Sequence, residues 1–231
     1  MSTLTIDALD ESGSFSAYVA RPEGTPRAAI IVIQEIFGVN PGIRQKCDGW
    51  AAKGYLAVAP DLFWRLQPGI ELDADVPEQF QQALDWMGKF DQDQGVADIE
   101  STIQAVRAEL GGGAVGAVGF CLGGRLAYMT AARTDIDASV GYYAVGIDGL
   151  LDEKHAIAKP LMLHIPEADH FVSPEVQAKM HQGLDDHPKV TLYDYPGEDH
   201  GFAAEMGKRR SEAAAQLADQ RTADFFAQHL G

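Results

Sequence analysis

The chain has 231 residues, 46% of them hydrophobic, and a formal net charge of −16 at pH 7. That length suffices for one core burying roughly 70–75% of the extended surface, and the acidic balance argues against nucleic acid and anionic membranes as partners. Two cysteines do not make a disulfide framework and suit a reducing compartment. Met1–Asp7 has no basic region followed by an apolar one, and no apolar run reaches spanning length, so a cytoplasmic location is expected.

In chain order, Phe15–Ala20 alternates like an early strand of an antiparallel hairpin. Ala28–Gln34 is a continuous apolar run, the pattern of a strand buried on both faces. A helix over Ile43–Lys53 and a strand over Tyr55–Ala59 follow. Asp61–Val76, with Phe63, Trp64, Pro68 and Gly69, is irregular and predicts a loop and cap over the strand ends, part of a cap-like region near 61–94. In Gly95–Leu110, Val96, Ile99, Ile103, Val106 and Leu110 recur at steps of three and four, a helix. Strand Ala114–Val118, helix Leu122–Ala132, strands Ala138–Ala144 and Pro160–Ile165, helix Pro174–Leu184, strand Val190–Tyr193 and a helix near Ser211–Leu230 complete the chain. Such alternation without a linker predicts one α/β domain over residues 1–231, a mostly parallel twisted sheet with helices on both faces.

The chemistry-bearing motif is Gly119-Phe120-Cys121-Leu122-Gly123-Gly124, directly after a buried strand and opening a helix. That is a nucleophile elbow with cysteine in the usual serine position: the sharp turn expels one side chain, and glycines leave room for neighbouring backbone. Downstream, Asp169 and His200 each lie a few residues past an apolar strand-like run. The order nucleophile, acid, histidine is that of α/β-hydrolases. In this reading the Cys121 thiolate attacks, His200 moves the proton and Asp169 fixes its tautomer. His170 competes as base, but it directly follows the proposed acid and cannot easily face it. Cys47, inside a helix, reads as an inert apolar residue. A metal site has no supporting ligand spacing, and neither metal nor organic cofactor is expected.

These motifs, with Gln34-Glu35-Ile36-Phe37-Gly38, Pro60-Asp61-Leu62, Gly141-Tyr142-Tyr143, Asp169-His170-Phe171-Val172 and His200-Gly201-Phe202, resemble the dienelactone hydrolases (carboxymethylenebutenolidases) over nearly the whole chain. The resemblance implies an α/β-hydrolase fold, a Cys121–His200–Asp169 triad and an oxyanion hole from the backbone N–H groups of Leu122 and Ile36. It also implies that Glu35 holds the resting thiol until substrate displaces it. At the end of a buried strand a carboxylate's charge is disfavoured, and it disfavours a neighbouring thiolate; a loop carboxylate bonded to backbone N–H groups is the other reading of Glu35.

The family's two carboxylate-binding arginines correspond to Phe80 and Ala204 here, and its tyrosine and tryptophan contacts to Leu84 and Met87; Tyr143 is kept. The expectation is therefore an apolar pocket from Phe37, Phe63, Trp64, Phe80, Leu84, Met87, Tyr143, Phe171 and Phe202, favouring neutral hydrophobic esters or lactones, with activated esters or phosphotriesters as side substrates. Arg65 is the first cation expected to reach the mouth, while Arg125 faces away. The alternatives are true dienelactone hydrolysis of an anionic lactone and a non-catalytic binding or sensor protein on the same fold.

Overall fold

The computed structural model describes residues 2–231. Strands β1 (Ser2–Asp7), β2 (Ser14–Ala20), β3 (Ala29–Ile33), β4 (Leu56–Pro60), β5 (Val115–Phe120), β6 (Ala138–Tyr142), β7 (Leu161–Pro166) and β8 (Val190–Tyr195) form one eight-stranded sheet. Their order is β1-β2-β4-β3-β5-β6-β7-β8. β1 pairs antiparallel with β2, and β2 antiparallel with β4; every pairing from β4 to β8 is parallel. This is the α/β-hydrolase arrangement. The central strands β3, β4, β5, β6 and β7 are buried along their whole length, as sheets covered on both faces require.

Six α-helices accompany the sheet: α1 (Pro41–Ala52), α2 (Pro77–Met87), α3 (Gln92–Glu109), α4 (Leu122–Arg133), α5 (Pro174–Leu184) and α6 (Glu212–Leu230). One core, on one face, takes Ile99, Ile103 and Val106 of α3 with Leu126 of α4 and Met180 of α5. The other takes Cys47 and Trp50 of α1 with Phe226 and Leu230 of α6. Local chemistry sets the helix starts. Asn40 Oδ1 accepts from Ile43 N at 3.1 Å, and Asp91 Oδ1 accepts from Asp93 and Gln94 N, satisfying N–H groups that a first turn leaves open. α4 differs: its N-cap is Cys121, with no side-chain cap hydrogen bond.

β6 ends at Tyr142, two residues earlier than the apolar run suggests, because Tyr143 turns to φ 39°. α2 stands inside the cap-like region; Pro77 at its first position and Glu78 in its first turn are the helix-start signals that the loop-rich surroundings concealed. The segment before α2 is held by its own polar groups. Asp61 accepts from Phe63 N and Gly69 N at 3.1 and 2.7 Å, and Gln34 Oε1 accepts from Leu62 N at 3.1 Å. No helix of the described residues is long and apolar enough to cross a membrane.

Candidate active site

The site forms at the carboxyl ends of β3, β5, β7 and β8. At the end of β5, Cys121 adopts φ 56° and ψ −116°, a conformation non-glycine residues rarely hold and one that surrounding packing must enforce. The packing is tight backbone. A Cβ on Gly123 would lie 2.4 Å from Ile33 O and 2.5 Å from Gln34 O. The start of α4 therefore sits directly against the end of β3.

Asp169 and His200 arrive on the loops after β7 and β8. His200 Nδ1 donates to Asp169 Oδ2 at 2.8 Å, with the two side chains 2% and 1% exposed. Asp169 Oδ1 accepts from Phe171 N at 2.8 Å, so the carboxylate is held at both oxygens. His200 Nε2 is buried and closes no hydrogen bond among the described residues; Cys121 is its neighbour on that side. Burial works against the imidazolium. Charge on Cys121 and the hydrogen bond to Asp169 outweigh it, lifting His200 up to about 10.

Glu35 and Tyr143 border Cys121 and His200. Burial pushes the Glu35 carboxyl up, with His200, Arg209 and the Tyr143 hydroxyl pulling the other way. Tyr143, swung inward by its positive φ, stands edge-on to His200 with ring centroids 5.0 Å apart. Its hydroxyl is turned toward Glu35 and Cys121 without closing a hydrogen bond.

A cleft open to solvent runs from Glu35 and Tyr143 outward between residues 73–75 and 204–209. Two cations line it. Lys46 is paired with Glu205 at 2.7 Å and Asp219 at 3.4 Å. Arg209 forms no ion pair or side-chain hydrogen bond among the described residues. Its guanidinium lies over the Phe80 ring, 5.4 Å from the centroid, and its Cδ is 2.9 Å from where a Cβ on Gly201 would be. Gly201, at φ 81°, is thus needed for both its backbone shape and the room it leaves.

Residues 15–230 match the Dienelactone hydrolase family. The chain belongs to that family. A relative from Azospirillum brasilense is 46% identical over 233 residues, covering 100% of both chains. Carboxymethylenebutenolidase 1 of Cupriavidus pinatubonensis is 37% identical over 216 residues, covering 93% of this chain and 92% of its own. A solved structure from Klebsiella pneumoniae superposes with a TM-score of 0.84 at 28% identity, covering 99% of this chain and 100% of that one. Membership in the dienelactone hydrolase family places the chain among hydrolases of ester and lactone bonds.

The structure brings Cys121, His200, Asp169, Glu35 and Tyr143 together, and it redraws the expected pocket. Phe37 lines the cleft and packs, tilted, at 5.9 Å on Phe80 behind it, while half-exposed Phe171 stands 4.8 Å edge-on to His200 but is not among the cleft residues. Phe63 and Phe202 do not line it: both are core residues, packed on Phe90 and on Tyr142, Tyr143 and Tyr195. Trp64 is also elsewhere, stacked on Phe15 with Nε1 donating to Asp98 at 2.8 Å. Leu84 and Met87 are not among the cleft residues; Leu84 is exposed on α2, and Met87 packs against the core.

Arg65 does not reach the mouth. Buried Asp98 and exposed Asp10 bind it at 2.7 and 2.9 Å. Arg125 faces away, donating to Gln92 and to the Gly146 carbonyl. The expectation of a purely apolar pocket therefore fails, because Arg209 and Lys46 enter it. The signal was present as Lys208-Arg209-Arg210, a cation run between His200 and the last helix of an acidic chain.

Asp169, His170 and Asp199 are the described residues whose ligand-type atoms cluster, within 4.8 Å of one another. All three are engaged in hydrogen bonds within the loop pair, a donor set committed to holding the loops.

Proposed function

We propose that the chain hydrolyses an anionic lactone of the dienelactone kind, with Cys121 as nucleophile, His200 as base and Asp169 as its orienter. Cys121 Sγ attacks the lactone carbonyl carbon, and the oxyanion is received by the N–H groups of Leu122 and Ile36, where donors of this kind contribute about 100- to 1,000-fold in kcat. The tetrahedral intermediate collapses with cleavage of the ring C–O bond, and His200 gives its proton to the departing oxygen. The product is a thioester whose leaving group is still tethered. Water, deprotonated by His200, then hydrolyses the thioester and returns Cys121. Glu35, next to the thiol and pushed toward its neutral form by burial, holds the resting sulfur together with Tyr143. A nucleophile that must stay a thiol suits a reducing compartment such as the cytoplasm.

The observation that carries the substrate class is Arg209. A guanidinium at the cleft, stacked on Phe80 and lacking an acidic partner, is free to bind a carboxylate in two parallel hydrogen bonds. The names of relatives such as carboxymethylenebutenolidase 1 support the same reading. Steady-state kinetics on an anionic and a neutral lactone of matched size test it. The anionic lactone is expected to have the higher kcat/KM, with a rate that falls as salt is added. A preference for the neutral lactone, with no salt dependence, overturns the substrate assignment while leaving the triad standing.

A further inference from the structure

The two loops that carry the acid and the base are not equally supported. β7 is flanked by strands on both sides, but β8 is the last strand of the sheet, and its burial is only partial. The loop after β8, which delivers His200, therefore has a paired strand on one side only. Four residue pairs tie it, with the end of β8, to the loop after β7. Two are backbone bonds, Glu167 N to Tyr195 O at 3.1 Å and Ala168 N to Glu198 O at 2.9 Å. The third is the His200–Asp169 bond of the site itself. The fourth is Asp199, whose single oxygen Oδ1 accepts from His170 N at 3.1 Å, from His170 Nδ1 at 2.7 Å and from His200 N at 2.6 Å.

We infer that Asp199 is a positioning residue for the reaction: its carboxylate staples the backbone next to the acid onto the backbone of the base. One oxygen ties the residue directly after Asp169 to His200 itself, so it fixes the separation of the two side chains at the point where they must meet. The staple lies at the surface. Asp199 and His170 are both more than half exposed, and the folded core does not need them. Its effect is geometric, through His200: a base displaced by about 1 Å costs on the order of 100-fold even when the chemical groups are all present. His170 takes part through both its imidazole and its N–H; any residue at that position supplies the N–H, so the backbone half of the link survives loss of the imidazole.

This inference rests on the Cys121–His200–Asp169 reading, and the test separates the two. Cys121→Ala and His200→Ala are assayed first on an activated ester; if either keeps wild-type turnover, the triad itself is wrong and the staple with it. With those variants inactive, Asp199→Ala is expected to lower kcat about 10- to 100-fold with little change in KM. Its melting temperature should stay near that of wild type, and the pH profile of kcat/KM should move, because the His200–Asp169 bond no longer sets the histidine's basicity. Asp199→Asn, which keeps an acceptor oxygen, should recover most of the loss, and His170→Ala should stay within several-fold of wild type. An Asp199→Ala enzyme with unchanged kcat and pH profile overturns the inference. So does a loss that Asp199→Asn fails to rescue or that appears only in KM.

Discussion

Arg65 and Arg209 are the same side chain in two opposite situations. Arg65 lies beneath the cap between β1–β2 and α3, with carboxylates from Asp98 and Asp10 both within 3 Å and Trp64 beneath its guanidinium. Arg209 has an aromatic platform too, Phe80, but no carboxylate within ion-pairing distance, although its charge is felt by Glu35 and it shares the cleft with Asp73, Asp75 and Glu205. The first has spent its charge inside the protein and can only hold structure. The second keeps its charge for whatever enters the cleft. Sequence position alone favours Arg65, which follows directly on the strand ends, but it says nothing about which acids will be nearby. What decides a cation's role is the set of acids that the fold brings to it, and how deeply the pair is buried.

The largest effect belongs to the most deeply buried pair. Asp169→Asn leaves the shape of the triad nearly intact but removes the charge that fixes the His200 tautomer. By analogy with a serine triad it should cost roughly 10,000-fold in kcat, about 5.5 kcal/mol at 1.4 kcal/mol per tenfold. Cys121→Ala and His200→Ala should be at least as severe, measured as residual ester hydrolysis with folding checked by thermal melting. Cys47→Ala is the control. Fully buried in α1, with burial pushing its thiol far up, Cys47 is no nucleophile at neutral pH, and its removal should leave kcat unchanged while slightly lowering stability.

Next comes Arg65. Arg65→Met strands Asp98, 1% exposed, with the Trp64 indole as its remaining side-chain donor. Breaking one side of a buried pair costs about 3–5 kcal/mol, which urea unfolding would read as a lower midpoint. Substrate selection should not change. If Arg65→Met altered the ratio of anionic to neutral kcat/KM, the division between the two arginines would collapse.

The elements legible in the sequence are those governed by short-range rules. The glycine frame of 119–124 announces a nucleophile-elbow turn, and the uninterrupted apolar runs of β3 and β5, with the nearly apolar β7, announce strands covered on both faces. Cys121 is readable because it follows such a strand at once, and Asp169 and His200 because each lies a few residues past a strand end. The wall of the cleft is not readable in the same way. Phe63, Trp64 and Phe202 are aromatic residues near strand ends, but whether such a ring turns to the cleft or to the core depends on long-range packing, and here Phe63 and Phe202 complete the core while Trp64 bonds to Asp98 on α3. Arg209 reaches the site from nine positions past His200 because residues 201–209 fold back across Gly201, and no periodicity encodes that return.

Arg209 itself stands third. Arg209→Met keeps the stacking length over Phe80 and removes the charge. It should lower kcat/KM for an anionic lactone by about 10- to 100-fold, as a lost bidentate charge-assisted contact does, and leave a neutral lactone within about twofold. The salt dependence of the anionic rate should flatten at the same time, since the attracting charge is gone. Equal losses on both lactones would mean that Arg209 supports the loop and not the substrate.

The smallest effect is expected where the pair is most exposed. His181 on α5 bonds Asp185 at 2.9 Å and Asp194 of β8 at 3.0 Å. Burial is the largest single influence and works against the imidazolium, but the hydrogen bonds and charges of the two carboxylates together prevail and raise the pKa of His181 above the usual 6.5. A group whose folded pKa is raised stabilises the fold fully below its unfolded pKa, and that contribution disappears as pH climbs through the folded value. The stability gap between wild type and His181→Asn should therefore be widest near pH 5.5–6, above the carboxylates' own titration, and should shrink as pH rises past 6.5. Because solvent reaches all three groups, the gap should stay under about 1 kcal/mol and fall further in high salt. Melting temperatures of the two proteins at matched pH values decide it. A gap that grows with pH would show that His181 acts as a neutral hydrogen-bonding group and not as a cation, placing this histidine outside the series that runs from the buried Asp169–His200 pair to the solvent-washed surface.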